Sequence, residues 1–271
     1  MLARKLPMVA VGAALALLLP AGALAIHQRA PAPAHTAAGK RIPTSSPTTG
    51  VPEVGAVFAG ASSAEHECTA SVVDSPHGDV LLTAAHCVSG SGAGMVFAPG
   101  YHDGISPDGH WTVTAAHLAP GWLASQDPRD DFAFLTVAPR MIGGREVTIE
   151  QVTGAYQLGA TLRSGEAITV IGYPAGSDDD AITCPTTVYF TRGFPSFDCR
   201  GFVDGTSGGP WLAHTAHGTT IVGVIGGLNQ GGCVDSTSYS SLLARTAQAV
   251  YARAASHASA DTAPSPGGDG C

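Results

Sequence analysis

The chain has 271 residues, enough for one large or two small domains with a sizeable core. Hydrophobic residues make up 44% and charged residues only 13%, with 35 Gly and 19 Pro; this is too apolar for a wholly disordered chain and too rich in helix breakers for a helical bundle. The formal charge of −8 disfavours broad attraction to nucleic acid or anionic membranes, so neither is expected as a partner.

In chain order, residues 1–25 read as an export signal: Arg4 and Lys5, an apolar run over 8–19, a break at Pro20, and Ala23-Leu24-Ala25 as a small-x-small cleavage site. The run is shorter than the ~20 residues of a spanning helix. No stable membrane insertion is expected after cleavage, and the mature product, starting at Ile26, is expected to be secreted and extracellular. Residues 26–53 are rich in Ala, Pro, Thr and Ser, bury too little to offset chain entropy, and read as a linker or short propeptide. Short β-branched runs between Gly, Pro, Asp and Ser then predict strands at 54–58, 70–73, 80–83, 132–137, 167–171, 186–190 and 219–225. Many short strands without alternating helices favour an antiparallel, all-β barrel or sandwich. One helix is expected over 241–255, where Leu242, Leu243, Thr246, Val250 and Tyr251 recur at mostly helical spacing. Residues 256–271 return to Ala, Ser, Pro and Gly and predict a flexible tail.

Three segments carry chemistry: Thr83-Ala84-Ala85-His86-Cys87, Asp131-Phe132-Ala133-Phe134-Leu135 and Gly205-Thr206-Ser207-Gly208-Gly209-Pro210. A serine hydroxyl is a weak nucleophile until an imidazole takes its proton, and the imidazole needs a carboxylate to fix its tautomer and stabilise its charged form. His86, Asp131 and Ser207 supply these groups in an order found for that constellation. Asp130 competes for the acid's role from its neighbouring position. Glycines around Ser207 permit unusual backbone angles, so the N–H groups of Gly205 and Ser207 can converge on a developing oxyanion. The same segment also fits G-x-S-x-G, the nucleophile elbow of α/β-hydrolases, with Asp235 and His257 as later acid and base. Gly208, Gly209 and Pro210 oppose the helix that an elbow requires.

The segments TAAHC, DFAFL and GTSGGP resemble the signatures of the chymotrypsin-like (trypsin-like) serine peptidases, in particular their secreted bacterial members, over about 54–255. The resemblance implies two packed six-stranded antiparallel β-barrels with a C-terminal helix, and an active site in the crevice between them. It selects Asp131 over Asp130 and implies a bridge between Cys68 and Cys87 beside the catalytic His86. The expected activity is that of a serine endopeptidase acting on protein or peptide substrates, as a monomer and without a cofactor. A catalytically inactive binding protein on the same fold is the alternative from another class.

Thr206 precedes Ser207 where many animal members carry Asp, so activation through an inserted amino terminus after cleavage at Arg41-Ile42 is not expected. The position six residues before Ser207, where cleavage after Lys or Arg uses an Asp, is Gly201, which lends no support to a basic preference. The resemblance places the substrate pocket at Gly201 and Phe202, with Gly226, Gly227 and Leu228 as a wall that pairs with substrate backbone, and Ser238 opposite. All six cysteines lie beyond the signal, as in an oxidising compartment. Cys184 and Cys199 flank a hairpin and can clip it; Cys199 can instead pair with Cys233, and the first choice leaves Cys233 with Cys271. No metal is expected: the His residues are scattered, and the acidic triplet 178–180 lacks calcium-loop spacing.

Overall fold

A computed structural model describes residues 41–159, 162–175, 180–216, 218–265 and 267–271. The expected signal, most of the linker, Asp178, Asp179 and His217 lie outside the described residues.

The N-terminal half is a closed barrel, in the order Val54–Phe58, Cys68–Val73, Val80–Thr83, Ala133–Val137, Trp111–Leu118, Val96–Pro99 and back to the first strand. Most of its strands are buried on both faces because both are covered, the exception being Trp111–Leu118, where Thr112 and Thr114 are exposed. Val57, Leu81, Leu135 and Trp111 fill the barrel, while Val54, Ala56, Leu82 and Phe134 point to a second cluster shared with Ile171, Tyr173, Leu212 and Val224 of the C-terminal half. Alternation therefore feeds two cores, and the runs read as continuous hydrophobic stretches rather than as a half-polar pattern. Each such fully buried side chain contributes roughly 1.5–3 kcal/mol.

The C-terminal half combines a six-stranded sheet, in which Ser46–Pro47, Ile182–Thr187, Ala167–Gly172, Pro210–Thr215, Gly218–Val224 and Gln157–Leu158 are successive neighbours, with a three-stranded sheet of Tyr189–Thr191, Phe194–Asp198 and Thr237–Tyr239. Ile168, Trp211, Phe197 and Phe202 pack between the sheets. The Cys184–Cys199 disulfide joins them, as do a hydrogen bond of 3.1 Å from Thr186 Oγ1 to the Asp198 carbonyl and a bridge between Ile225 and Ser240.

The expected strands at 54–58 and 80–83 form with those ends. The run at 186–190 is divided at Val188, Phe194–Asp198 is the second strand of the hairpin expected between Cys184 and Cys199, and the strands Val96–Pro99 and Trp111–Leu118 are additional to those predicted. The C-terminal helix runs over Arg245–Ala255, four residues later than expected, because the Leu242 N–H donates instead to the Arg129 carbonyl. Its buried face is Ala247, Val250 and Ala254, packed on the barrel with Tyr251 edge-on to Phe134 at 5.6 Å.

Both segments expected to be loose have partners. Within 41–53, Ser46–Pro47 pairs with Ile182 and Thr183, and the Arg200 N–H donates to Pro43. Beyond the helix, Asp261 accepts from Leu118 N–H at 2.9 Å and from Arg253 at 2.8 Å. Ala263 N–H donates to Gly90, Gly267 N–H to Gln126, and Cys271 is bonded to Cys233. Low-complexity composition removes the apolar drive to pack, but backbone hydrogen bonds and a covalent tie do not depend on side-chain hydrophobicity.

Candidate active site

Strand pairing brings the first two signature segments together. Thr83 lies opposite Ala133 in the antiparallel ladder, so continuing past the strand ends carries the 85–87 turn alongside Asp131. His86 Nδ1 sits 2.8 Å from Asp131 Oδ2. An ionised carboxylate only accepts, so the Nδ1–H donates and Nε2 keeps its lone pair. His86 N–H donates to Asp131 Oδ1 at 3.0 Å and Gly227 N–H to Oδ2 at 2.9 Å. The carboxylate is fully buried, and these donors replace the water it has lost. The His86 side chain remains 12% exposed, open to a reactant on one side. Asp130 turns away: its Oδ2 accepts from Gly121 N–H at 3.0 Å, and burial raises its pKa despite that bond.

The third segment docks on the same barrel through Thr69. Thr69 N–H donates to the Ser207 carbonyl at 2.7 Å. Its hydroxyl donates to Gly205 O at 2.9 Å and accepts from Tyr173 N–H at 2.9 Å. Thr83 Oγ1 in turn donates to Thr69 O at 2.8 Å. Gly205 and Gly208 have φ of +89° and +80°, and a Cβ on Gly208 would run into Thr69 O and Thr83 Oγ1; only glycine allows this close approach. Within the loop, Thr206, Gly208 and Gly209 N–H groups donate to Val203, Ile225 and Thr206 carbonyls. Thr206, buried, also donates its hydroxyl to Val203 O at 2.6 Å, a local tie at the position where an acidic residue would await an inserted amino terminus.

A family model described as the trypsin-like peptidase domain matches residues 68–224, more than half of the chain. The chain belongs to the trypsin-like peptidase family. No curated protein sequence matches it. Its fold is similar to that of the protease Anisep from Arthrobacter nicotinovorans (TM-score 0.66, 24% identity, 79% of this chain and 100% of that one). It is also similar to the thermostable serine protease AL20 from an extremophilic microorganism (TM-score 0.65, 24% identity, 77% and 99%). A Glu endopeptidase aligns with TM-score 0.59 and 19% identity over 80% of this chain and 98% of that one. At these identities the neighbours establish a chymotrypsin-like, all-β fold.

On this trypsin-like fold the α/β-hydrolase reading fails. The segment after Ser207 enters the strand Pro210–Thr215 instead of a helix. His257 Nε2 pairs with Asp79 Oδ2 at 2.7 Å, and Asp235 Oδ1 lies 3.7 Å from Arg200. His257 is committed to Asp79, and Asp235, although it lines the cavity beside Ser207, has Arg200 rather than His257 as its partner.

A cavity of about 490 Å³ has Ser207 in its lining, with Phe202, Ile225 and Ser238. Of the expected pocket residues, Phe202 and Ser238 therefore reach it. Gly201, with φ of +107°, packs against Ser45. Gly226 and Gly227 lie against Asp131 instead, and Leu228 opens a short 3-10 turn, Leu228–Gly231. The wall expected over 225–228 is extended only at its start, because Gly227 turns the chain at φ +77°. A second cavity of about 590 Å³ is lined by Arg41, Ile42 and strand residues such as Ile168 and Thr186, and takes in none of the three signature side chains.

Cysteine pairings are Cys68–Cys87, Cys184–Cys199 and Cys233–Cys271, which resolves the choice left by the sequence. His86 lies within 4.8 Å of the sulfurs of Cys68 and Cys87; joined to each other, they have no thiolate to offer a metal. Sequence reading missed Thr69, the residue that joins the serine loop to the barrel, and Asp269 and Cys271, which also line the cavity. Thr69 stands next to Cys68, one position from a residue that was recognised, but nothing in its own identity reports a partner 136 residues away.

Proposed function

We infer that the chain is a secreted serine endopeptidase that hydrolyses peptide bonds through an acyl-enzyme. The observation that carries the reading is the 2.8 Å pairing of His86 Nδ1 with the buried Asp131 carboxylate, on the same barrel that holds the Ser207 loop through Thr69. Ser207 attacks the peptide carbonyl while His86 Nε2 takes its proton and later passes it to the leaving amine. Asp131 keeps His86 in the required tautomer and stabilises the imidazolium. Gly205 and Ser207 N–H groups hold the oxyanion, at roughly 3 kcal/mol per donor. The acyl-enzyme is then released by water, with His86 acting as base a second time.

Secretion is supported by the signal-like residues 1–25 and by three disulfides, which persist in oxidising compartments. Among the described residues no helix is long and apolar enough to cross a membrane.

The test is hydrolysis of casein together with covalent labelling by a fluorophosphonate, each repeated on Ser207→Ala. Both activities are expected in the parent and neither in the variant. A folded, processed parent that neither labels nor cleaves points to the inactive binding module; a Ser207→Ala protein that still does both removes Ser207 from the role. Amino-terminal sequencing of protein recovered from culture medium is expected to begin at Ile26 or later.

A further inference from the structure

Asp269 and Cys271 line the cavity that Ser207 also lines, and the tail that carries them is fixed to both halves of the molecule. On the barrel, Ala263 N–H donates to Gly90 O, just past His86, and the Gln126 side chain donates to Ser265 O and accepts from Gly267 N–H. On the C-terminal half, Asn229 Nδ2 donates to Asp269 O at 3.2 Å, Gln230 Nε2 donates to Gly267 O at 3.4 Å, and Cys271 is bonded to Cys233.

The two residues that grip the tail are themselves held in an uncommon shape. Asn229 and Gln230 have φ of +53° and +49°, in the left-handed region where a Cβ crowds the following carbonyl. Asparagine visits this region readily, glutamine rarely. The pair directly follows the wall expected over 225–228, which Ile225 O ties to the serine loop through Gly208 N–H at 2.7 Å. Extended backbone ends there at Gly227, and Gly227 O accepts from Gln230 N–H at 3.0 Å, closing the turn. A peptide that adds a strand to such a wall needs extended backbone with open N–H and C=O groups. The tail carbonyls stabilise the left-handed pair, and the turned pair removes the edge on which a substrate backbone would lie.

The covalent part of this contact is accessible. Cys233 and Cys271 are both exposed, whereas Cys68, Cys184 and Cys199 are buried, so the tail bridge is the one most open to thiol attack.

We propose that tail residues 267–271 are an autoinhibitory latch that holds 227–231 in a turn unable to pair with substrate, and that a dithiol reductant opens it at Cys233–Cys271. The proposal rests on the peptidase reading above. One thiolate of the dithiol attacks a sulfur of the bridge, and the other cysteine leaves as a thiolate and takes up a proton. The second thiol of the reagent then displaces the protein from the mixed disulfide. The dithiol is oxidised by two electrons to a disulfide, and Cys233 and Cys271 become thiols. Oxidising surroundings keep the latch closed.

The full, processed chain is assayed on a fluorogenic peptide extending several residues before the scissile bond. Three forms are compared: the parent, the parent after mild dithiothreitol, and Cys233→Ser/Cys271→Ser, with alkylation and mass spectrometry identifying the reduced cysteines. Reduction confined to Cys233 and Cys271, and the double substitution, are each expected to raise kcat/KM about tenfold, the factor to which the cost of one left-handed residue corresponds. Dithiothreitol is expected to add nothing to the variant. An unchanged or lower kcat/KM in a folded opened form overturns the proposal, as does reduction that begins at another bridge or a rise that dithiothreitol still produces in the variant. If the variant fails to fold, judged by circular dichroism, the reduced parent decides. Hydrogen exchange at the 227–231 amides reads the latch without turnover: faster exchange in reduced Ser207→Ala supports it, and an unchanged rate overturns it. If neither the parent nor the opened forms cleave or label with a fluorophosphonate, the peptidase reading fails, and the exchange measurement alone decides the latch.

Discussion

The two halves of the molecule hold their contributions to the site by different means. In the N-terminal barrel a continuous ladder closes the sheet on itself, and His86 and Asp131 sit just past the ends of two strands paired in that ladder. In the C-terminal half, among the described residues, no ladder joins the six-stranded and three-stranded sheets; a disulfide, a threonine hydroxyl, the Val224 N–H bond to Ser240 Oγ and an isolated bridge are among the ties that do so. Its contributions, the Ser207 loop and the pocket, lie on turns at positive φ. A ladder fixes geometry through many small cooperative bonds, whereas loops need a few specific ties, each of which is individually costly to lose.

Four variants test this contrast, the largest effect first. Asp131→Asn leaves the ladder intact but replaces an acceptor of three N–H groups; kcat is expected to fall about 10⁴-fold with an unchanged circular dichroism spectrum. A fall of less than tenfold would mean that strand register alone orients His86. Replacing Cys184 and Cys199 together by Ser opens a loop with sequence separation 15 and is expected to cost about 3 kcal/mol, read as a melting temperature lower by roughly 10 °C. No change would show that the residual bridges suffice to hold the sheets together.

Thr69→Val keeps the shape but removes one donor and one acceptor at a fully buried position. We expect a loss of about 1–3 kcal/mol in stability and a kcat reduced about tenfold at nearly constant KM, because the loop carrying Ser207 loses its tie to the barrel. An equal drop in kcat for a substitution elsewhere in the barrel core would assign the effect to general loosening.

The smallest effect concerns pH. His117 is fully buried with neither ring nitrogen hydrogen-bonded, and its pKa is lowered, first by burial and then by Arg253. The unfolded chain takes up a proton near pH ~6.5 while the folded one does not, so stability is expected to decline as pH falls below that value. His117→Leu should flatten melting temperature against pH between about 5 and 7. Asp261 acts in a lower window. Burial alone would raise its pKa, but the bonds from Arg253 and Leu118 outweigh it and leave it lowered, so its stabilisation persists above the ordinary carboxylate value and is lost as pH falls further. A persistent slope between 5 and 7 in the Leu variant would exonerate His117.

Legibility in the sequence followed the same division. The family was readable from the short signature segments around His86, Asp131 and Ser207, and the all-β class followed from short β-branched runs. The strand Trp111–Leu118 was harder, since its alternation of buried and exposed residues gives way to consecutive Ala116-His117-Leu118 buried between barrel and tail. The helix start was misplaced because Leu242 and Leu243 fit the helical spacing while the Leu242 N–H is held by the Arg129 carbonyl.

The sequence by itself determined the family and the side chains on offer, among them the His86 imidazole, the Asp131 carboxylate and the Ser207 hydroxyl with its flanking glycines. Tertiary structure alone decided the pairing of Cys184, Cys199, Cys233 and Cys271, the docking of the serine loop on Thr69, and the placing of Asp269 and Cys271 in the lining of the cavity beside Ser207. These contacts join residues from 15 to more than a hundred positions apart, and their energies come from hydrogen bonds and covalent ties whose partners leave no periodic or compositional trace in either segment.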